Sequence, residues 1–117
     1  MTLTIYHNNK QLYTGTHYTT LLSRMKGLRF SRKLKQNTCI VLDSGTEEPN
    51  IIDMLFVFFS LDILWVNAAG VIVDIKRHIK PFTPFVIPCQ PSRYVIEVNA
   101  GETKGLKIGD RLNITIH

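Results

Sequence analysis

The sequence predicts a mainly β protein, a single small β-sandwich or jelly-roll-like barrel of seven to eight short strands with one or two short helices. Several segments alternate apolar and polar residues with the period of a half-buried strand. Turn residues recur roughly every 8 to 12 positions between them. With 117 residues, 44% hydrophobic and 20% charged, the chain suits one globular domain over residues 1–117.

The chain begins with a predicted hairpin. Leucine and isoleucine alternate with threonine over residues 2–6, and the pair Asn8-Asn9 tolerates the left-handed conformation of a tight turn. A second strand follows at residues 11–14. Thr19 or Thr20 can then cap a short helix over residues 21–26.

Gly27 sits where a left-handed residue ends that helix. A basic, irregular stretch comes next, followed by a predicted strand at residues 38–42. The polar residues 43–50, with one glycine and one proline, then form a loop. The four histidines of the chain are expected at the solvated surface, and the two cysteines, fifty positions apart, are expected as free thiols.

The most apolar stretch is residues 51–66, where thirteen of sixteen positions are apolar and the exceptions are Asp53, Ser60 and Asp62. Its Phe, Val, Ile and Trp content is typical of strands, so we predict two core strands that meet near Phe59 and Ser60 and are buried on both faces. Aspartates interrupt the stretch before it reaches the length of a membrane span.

The second half of the chain contains three further predicted strands. Residues 67–70 turn the chain into a strand over residues 71–77, which pairs antiparallel with the strand before it. Four prolines within residues 79–91 exclude a continuous central strand there. Residues 94–98 and 112–116 alternate apolar and polar side chains and complete the predicted sheet.

The net charge of +5 comes from one segment. It contains six cations and no acid: Arg24, Lys26, Arg29, Arg32, Lys33 and Lys35. A solvated basic face is the commoner explanation of such a segment, but it also suits binding of nucleic acid or another polyanion, with Phe30 placed to stack on a base.

Five segments in order resemble the domain of unknown function 192 family: LLSRMKGL (21–28), MLFVF (54–58), SLDILWVNAAGVIVDI (60–75), RYVIEVNAG (93–101) and GLKIGD (105–110). The resemblance covers roughly residues 20–112 and implies a small β-sandwich or barrel. It implies no biochemical role. Relatives similar to this chain carry a loop after the MLFVF strand, whereas here Phe59 leads directly into Ser60.

Asp53 and Asp62 are the first candidate site residues, because an unpaired carboxylate in the core costs several kcal/mol. On adjacent strands they could face each other and bind a ligand. In the structural alternative, each accepts backbone amide hydrogen bonds or pairs with an arginine such as Arg93. Arg93 and Glu97 share one face of a strand and are expected as exposed partners of neighbouring strands.

The function favoured by the sequence is a non-enzymatic domain that binds a small ligand or a protein partner, through a wall formed by Asp53, Asp62 and residues 79–91, with Arg93 nearby. Two alternatives stay open, polyanion binding by residues 24–35 and an enzyme that uses Asp62 as general acid or base. We expect no metal, no cofactor and no membrane partner, a monomer or weak dimer, and a cytoplasmic location.

Overall fold

The computed structural model describes all residues, 1–117. It contains seven strands and one helix. In chain order these are β1 (Thr2–His7), β2 (Lys10–Tyr18), α1 (Leu21–Lys26), β3 (Thr38–Glu48), β4 (Leu61–Val66), β5 (Ile72–Ile79), β6 (Ser92–Asn99) and β7 (Asn113–Ile116).

The strands form one sheet in the order β5-β4-β6-β3-β2-β1-β7. Every neighbouring pair is antiparallel except β2 and β3, which are parallel and are connected through α1 and the basic segment. The sheet rolls up, because an isolated bridge between Val71 and Arg111 links the start of β5 to the residues before β7. The mainly β prediction is confirmed, with the strands in a single sheet rather than two.

Two apolar cores lie on opposite faces of this sheet. The inner core fills the rolled sheet with twelve buried residues, among them Leu3, Leu64 and Ile96. The outer core has eleven, among them Ile63, Trp65 and Val95, and is covered by loops. Because neighbouring residues of a strand point to opposite faces, β4 is buried at all six positions.

Three local predictions in the first half of the chain are confirmed, but residues 43–48, which were expected in a loop, extend β3 to Glu48. Asn8 and Asn9 have φ values of 52° and 63° in the hairpin turn between β1 and β2. Thr20 is the N-cap of α1 and accepts a hydrogen bond from the backbone N–H of Ser23. Gly27, with φ of 48°, ends the helix as predicted. No helix of the structure is long and apolar enough to cross a membrane.

The prediction for the first half of the central apolar stretch is wrong. Only residues 61–66 form a strand, and residues 51–59 form an irregular segment attached to residues 82–86 by an Ile52–Val86 bridge. This segment lies over the outer face of the sheet, so only one of its sides can be buried. Met54 and Val57 pack inward, while Leu55, Phe56 and Phe58 are exposed.

Candidate functional site

A cavity of about 270 Å³ lies between the outer face of the sheet, α1 and the covering segment. Strands β3 and β6 contribute Leu42 and Val95 to its wall, and the covering segment contributes Met54 and Val57. Nine of the sixteen lining residues are hydrophobic, and polar groups share the wall with them. One such group is the carboxyl of Glu97.

Glu97 lies in β6 and points to the outer face, as Val95 does. Its residue is 4% exposed, and no protein group donates a hydrogen bond to its carboxyl oxygens. Burial raises the pKa of Glu97 to about 7, while Arg29 lowers it and Asp53 raises it further. The cavity therefore contains a carboxyl group that is poised to change its charge near neutral pH.

An arginine–aspartate pair lies at the same cavity. Arg29 donates from both terminal nitrogens to Asp53, with Nη2 at 2.7 Å from Oδ2. Its Nε donates to the carbonyl of Met25 and Nη1 to that of Leu55. The guanidinium holds the pKa of Asp53 below its usual range, so both groups are charged and neutralise each other.

Arg24, a second cation of the cavity wall, has a hydrogen-bond donor without an acceptor. Nε of Arg24 is buried and has no acceptor. The nearest acid is Glu48, whose Oε1 lies 3.9 Å from Nη1 of Arg24.

Asp62 does not face Asp53, so the paired-carboxylate hypothesis fails. Asp62 is fully buried on the inner face of the sheet, whereas Asp53 lines the cavity on the outer side. Its carboxylate accepts hydrogen bonds from the N–H groups of His78 and Gly101 and from Oγ1 of Thr103. These are the contacts that the structural alternative predicts for a buried aspartate.

Arg93 is also away from the cavity. Its Nε donates to Oδ1 of Asp43 at 3.0 Å, and its guanidinium lies 4.8 Å from the ring centre of Tyr94. Asp43 also contacts Nε2 of His17 at 2.8 Å. Burial raises the pKa of Asp43, but the hydrogen bonds from Arg93 and His17 outweigh it and the pKa is lowered.

The structure divides the six cations of the basic segment into two groups. Arg24 and Arg29 are near acids and line the cavity, whose wall also includes Lys26. The others have no acidic partner and are exposed: Lys26, Arg32, Lys33 and Lys35. Three of these, all but Lys26, line a shallow depression of about 670 Å³ beside β2 and β3.

Glu97 and His17 are among the polar residues whose burial sequence reasoning missed. Glu97 was expected at the surface, because the covering segment over β6 comes from residues 51–57, which we predicted as a strand. His17 was expected to be solvated, but its side chain is only 6% exposed. No local signal marks either residue, although Glu97 does share its strand face with the apolar Val95.

No group of three or more His, Cys, Asp or Glu side chains is arranged to hold a metal ion. Cys39 is buried and Cys89 is exposed, and both are free thiols. The charged groups of the cavity wall are Arg24, Lys26, Arg29, Asp53 and Glu97, and they alternate with apolar side chains as in sites for organic molecules.

A family model matches residues 4–114, which is nearly the whole chain, and is described as "Uncharacterized ACR". The chain belongs to the DUF192 family. Two curated proteins of Thermococcus carry the name UPF0127 protein. The one from Thermococcus sibiricus is 28% identical over 96 residues, which are 80% of this chain and 61% of the relative. The one from Thermococcus kodakarensis is 26% identical over 98 residues, 82% of this chain and 61% of the relative.

This DUF192 chain thus spans about three-fifths of the length of the curated relatives that it matches. Two solved structures have the same fold. A Sinorhizobium meliloti protein, described as a "putative transcription regulator", has a TM-score of 0.86 at 24% identity, with 96% of this chain and 91% of that chain covered. A Novosphingobium aromaticivorans protein of unknown function has a TM-score of 0.85 at 19% identity, with 97% and 84% covered. The comparisons establish the family and fold but no biochemical function.

Proposed function

We propose that this protein is a binding domain whose cavity takes a small ligand with an apolar body and a protonated amine. The observation that carries the proposal is the carboxyl of Glu97, a residue only 4% exposed, which lines the cavity and has no hydrogen-bond donor from the protein. Native proteins rarely leave a buried carboxyl without a partner.

The charge of the ligand follows from the groups around Glu97. Arg29 is already neutralised by Asp53, and the other cations of the wall are Arg24 and Lys26. An amine placed on Glu97 would stabilise the ionised carboxyl and reverse the effect of burial on its pKa. Affinity for such a ligand should therefore rise with pH as Glu97 ionises, with a midpoint near pH 7.

The size of the ligand follows from the cavity. Its volume of about 270 Å³ is close to the lower end of small-ligand sites, which hold roughly 300–1,000 Å³. The apolar side chains, including Leu28 and Val57, would contact a hydrocarbon or single aromatic ring.

Three probes of matched shape test this proposal: benzylamine, benzyl alcohol and benzoate. Titrations followed by amide chemical shifts, below and above pH 7, should show benzylamine binding at the cavity and tightening with pH. The shifts should include residues 50–57 and 95–97. Benzyl alcohol should bind more weakly and without pH dependence, and benzoate weakest.

Glu97→Gln is the matched variant, because it keeps the shape of the side chain and removes its charge. The proposal predicts that this variant no longer distinguishes benzylamine from benzyl alcohol. If benzylamine shifts no cavity residue, or binds wild type and Glu97→Gln equally at every pH, the amine site does not exist.

Polyanion binding is a second candidate function, supported by the depression that Arg32, Lys33 and Lys35 line together with threonine hydroxyls. The regulator description of the Sinorhizobium meliloti protein is compatible with it but belongs to that protein. A single-stranded oligonucleotide should bind with strong salt dependence and be lost when the three cations become Ser. Unchanged binding in that triple variant would exclude the depression as the site.

The structure offers no support for the enzyme alternative. Asp62 is 0% exposed and lines none of the described cavities, whereas a general acid or base must reach its substrate. The cytoplasmic location stays a prediction. The oligomeric state, a monomer or weak dimer, and the role as a binding module also stay predictions.

A further inference from the structure

The exposed apolar side chains of this protein are concentrated on one part of its surface. Of fourteen large hydrophobic residues that are exposed, eleven lie in three segments, residues 21–30, 51–58 and 82–87. These segments contact one another through the backbone, since Phe30 donates its N–H to the carbonyl of Phe56 and Phe82 donates to that of Met54. Soluble domains seldom leave an apolar patch of this kind without a partner.

Four phenylalanines form the centre of this patch, which we call the aromatic face: Phe30, Phe56, Phe58 and Phe82. The rings of Phe30 and Phe56 stack at 4.9 Å, and Phe82 contacts Phe56 at 5.8 Å and Phe58 at 5.1 Å. All four remain between 43% and 72% exposed. The rings therefore support each other without being covered by the rest of the chain.

The backbone conformation at three of these residues is independent evidence that their side chains have a function. Phe30, Phe56 and Phe82 have φ values of 58°, 60° and 64°, in the left-handed region that bulky residues avoid. Asparagine or glycine would be favoured at each turn if only folding mattered. Strained turns that present exposed aromatic side chains point to a function for those side chains.

The charge around the aromatic face has one sign. Residues 21–35, 51–59 and 80–88 contain seven Lys and Arg residues and a single acid, Asp53, which Arg29 neutralises. Lys80 is two residues from Phe82 and Lys26 is four residues from Phe30, and both are exposed without an acidic partner. The partner of this face must therefore be apolar and negatively charged.

We propose that the aromatic face docks on an anionic membrane surface, with the rings at the boundary of headgroups and acyl chains and the flanking lysines on acidic lipids. A second copy of the chain would bring two positive faces together. Nucleic acid would stack on flat rings but would gain little from the aliphatic part of the patch, such as Met25 and Ile87. This proposal does not depend on a ligand for the Glu97 cavity.

We expected no membrane partner from the sequence, because no stretch is long enough to span a bilayer. Docking on a surface needs no span, and it uses the apolar residues 51–58 that we had placed in the core. The structure exposes four of them, Ile51, Leu55, Phe56 and Phe58, on the segment that Arg29 and Phe30 contact.

Vesicle co-sedimentation tests the proposal with two lipid compositions, phosphatidylcholine alone and phosphatidylcholine containing about one-third phosphatidylserine. Wild type should pellet with the acidic vesicles and much less with the neutral ones, and added salt should weaken the binding. In the variant Phe30→Asn/Phe56→Asn/Phe82→Asn, the affinity for acidic vesicles should fall by about tenfold or more. Asparagine suits the left-handed turns, so this variant should keep or raise the melting temperature.

Paired charge variants give the matched control. Lys26→Ser/Lys80→Ser should lose binding to acidic vesicles, whereas Lys104→Ser/Lys107→Ser, with the same net charge, should retain it. Absence of pelleting, or pelleting that the folded asparagine variant retains, would overturn the proposal. A wild type that binds no vesicles but forms a dimer, or a complex with single-stranded DNA, would also overturn the proposal if the asparagine variant loses that dimer or complex.

Discussion

Arg29 donates hydrogen bonds to both carboxylate oxygens of Asp53 and thereby links the residues that follow α1 to the segment that covers the outer core. The two side chains are 27% and 31% exposed. They are twenty-four residues apart, and neither lies in a strand. This partly buried ion pair is therefore the side-chain link between residue 29 and the segment that covers Glu97, beside the backbone hydrogen bonds that also hold the segment.

A double-mutant cycle with Arg29→Ala and Asp53→Ala should show a coupling free energy of about 1 kcal/mol in urea unfolding. Because the pKa of Asp53 is lowered in the folded protein, this coupling is present above the ordinary value of 3.8 and is lost as the pH falls below it. The matched control is the Arg24–Glu48 pair, in which Nη1 and Oε1 lie 3.9 Å apart and the carboxylate is more exposed than that of Asp53. Its coupling free energy should be near zero. Equal coupling for both pairs would contradict the role given to Arg29–Asp53.

Glu97→Gln should raise the stability of the protein above neutral pH. The pKa of Glu97 is raised from 4.5 to about 7 in the folded protein, so the folded state binds the proton more tightly than the unfolded one. Stability of the wild type should therefore fall as the pH rises between these values, by on the order of 3 kcal/mol. Because glutamine does not ionise, the stability of Glu97→Gln should not fall in this way as the pH rises.

The measurement is urea unfolding of both proteins across that pH range. The aspartates with lowered pKa, Asp43 and Asp53, are present in both proteins, so their contribution cancels in the comparison. Parallel stability curves for wild type and Glu97→Gln would mean that the Glu97 carboxyl is solvated.

Asp62→Ala should lower the free energy of unfolding by about 3 kcal/mol, because three donors would then be buried without their acceptor. Thr103→Val removes one of those donors and also the acceptor of Arg77 Nε, so it should cost about 2 kcal/mol. Denaturant midpoints of the two variants give the comparison. If Asp62→Ala melts like wild type, the carboxylate has access to water.

Gly15→Ala should destabilise the protein by roughly 3 kcal/mol or more, or prevent folding. A Cβ at Gly15 would lie 1.9 Å from the carbonyl oxygen of Cys39, on the strand that pairs in parallel with β2. Gly45→Ala is the control: its φ is 79°, but nothing lies within 4 Å, so its cost is confined to about 1 kcal/mol of backbone strain. Similar losses in both variants would show that the strands β2 and β3 can separate to accept the methyl group.

Local chemistry was enough to predict much of the fold. The Asn8-Asn9 turn, the Thr20 cap and the Gly27 helix end each depend on the conformation of a few neighbouring residues. The alternation in β6 and β7 likewise depends on strand geometry alone. The same reasoning assigned residues 51–59 to a strand, because an apolar run is compatible with any buried segment.

The sequence by itself therefore determined the fold class, the positions of most strands and turns, and the segment that carries the net charge, since periodicity, capping and composition are local properties. Only the tertiary structure decided which side chains meet. It placed residues 51–59 over β6, buried Glu97 beneath them, paired Asp53 with Arg29, and left the phenylalanines exposed. The Arg29–Asp53 contact joins residues 24 positions apart, and no local pattern encodes the partner that a distant segment provides.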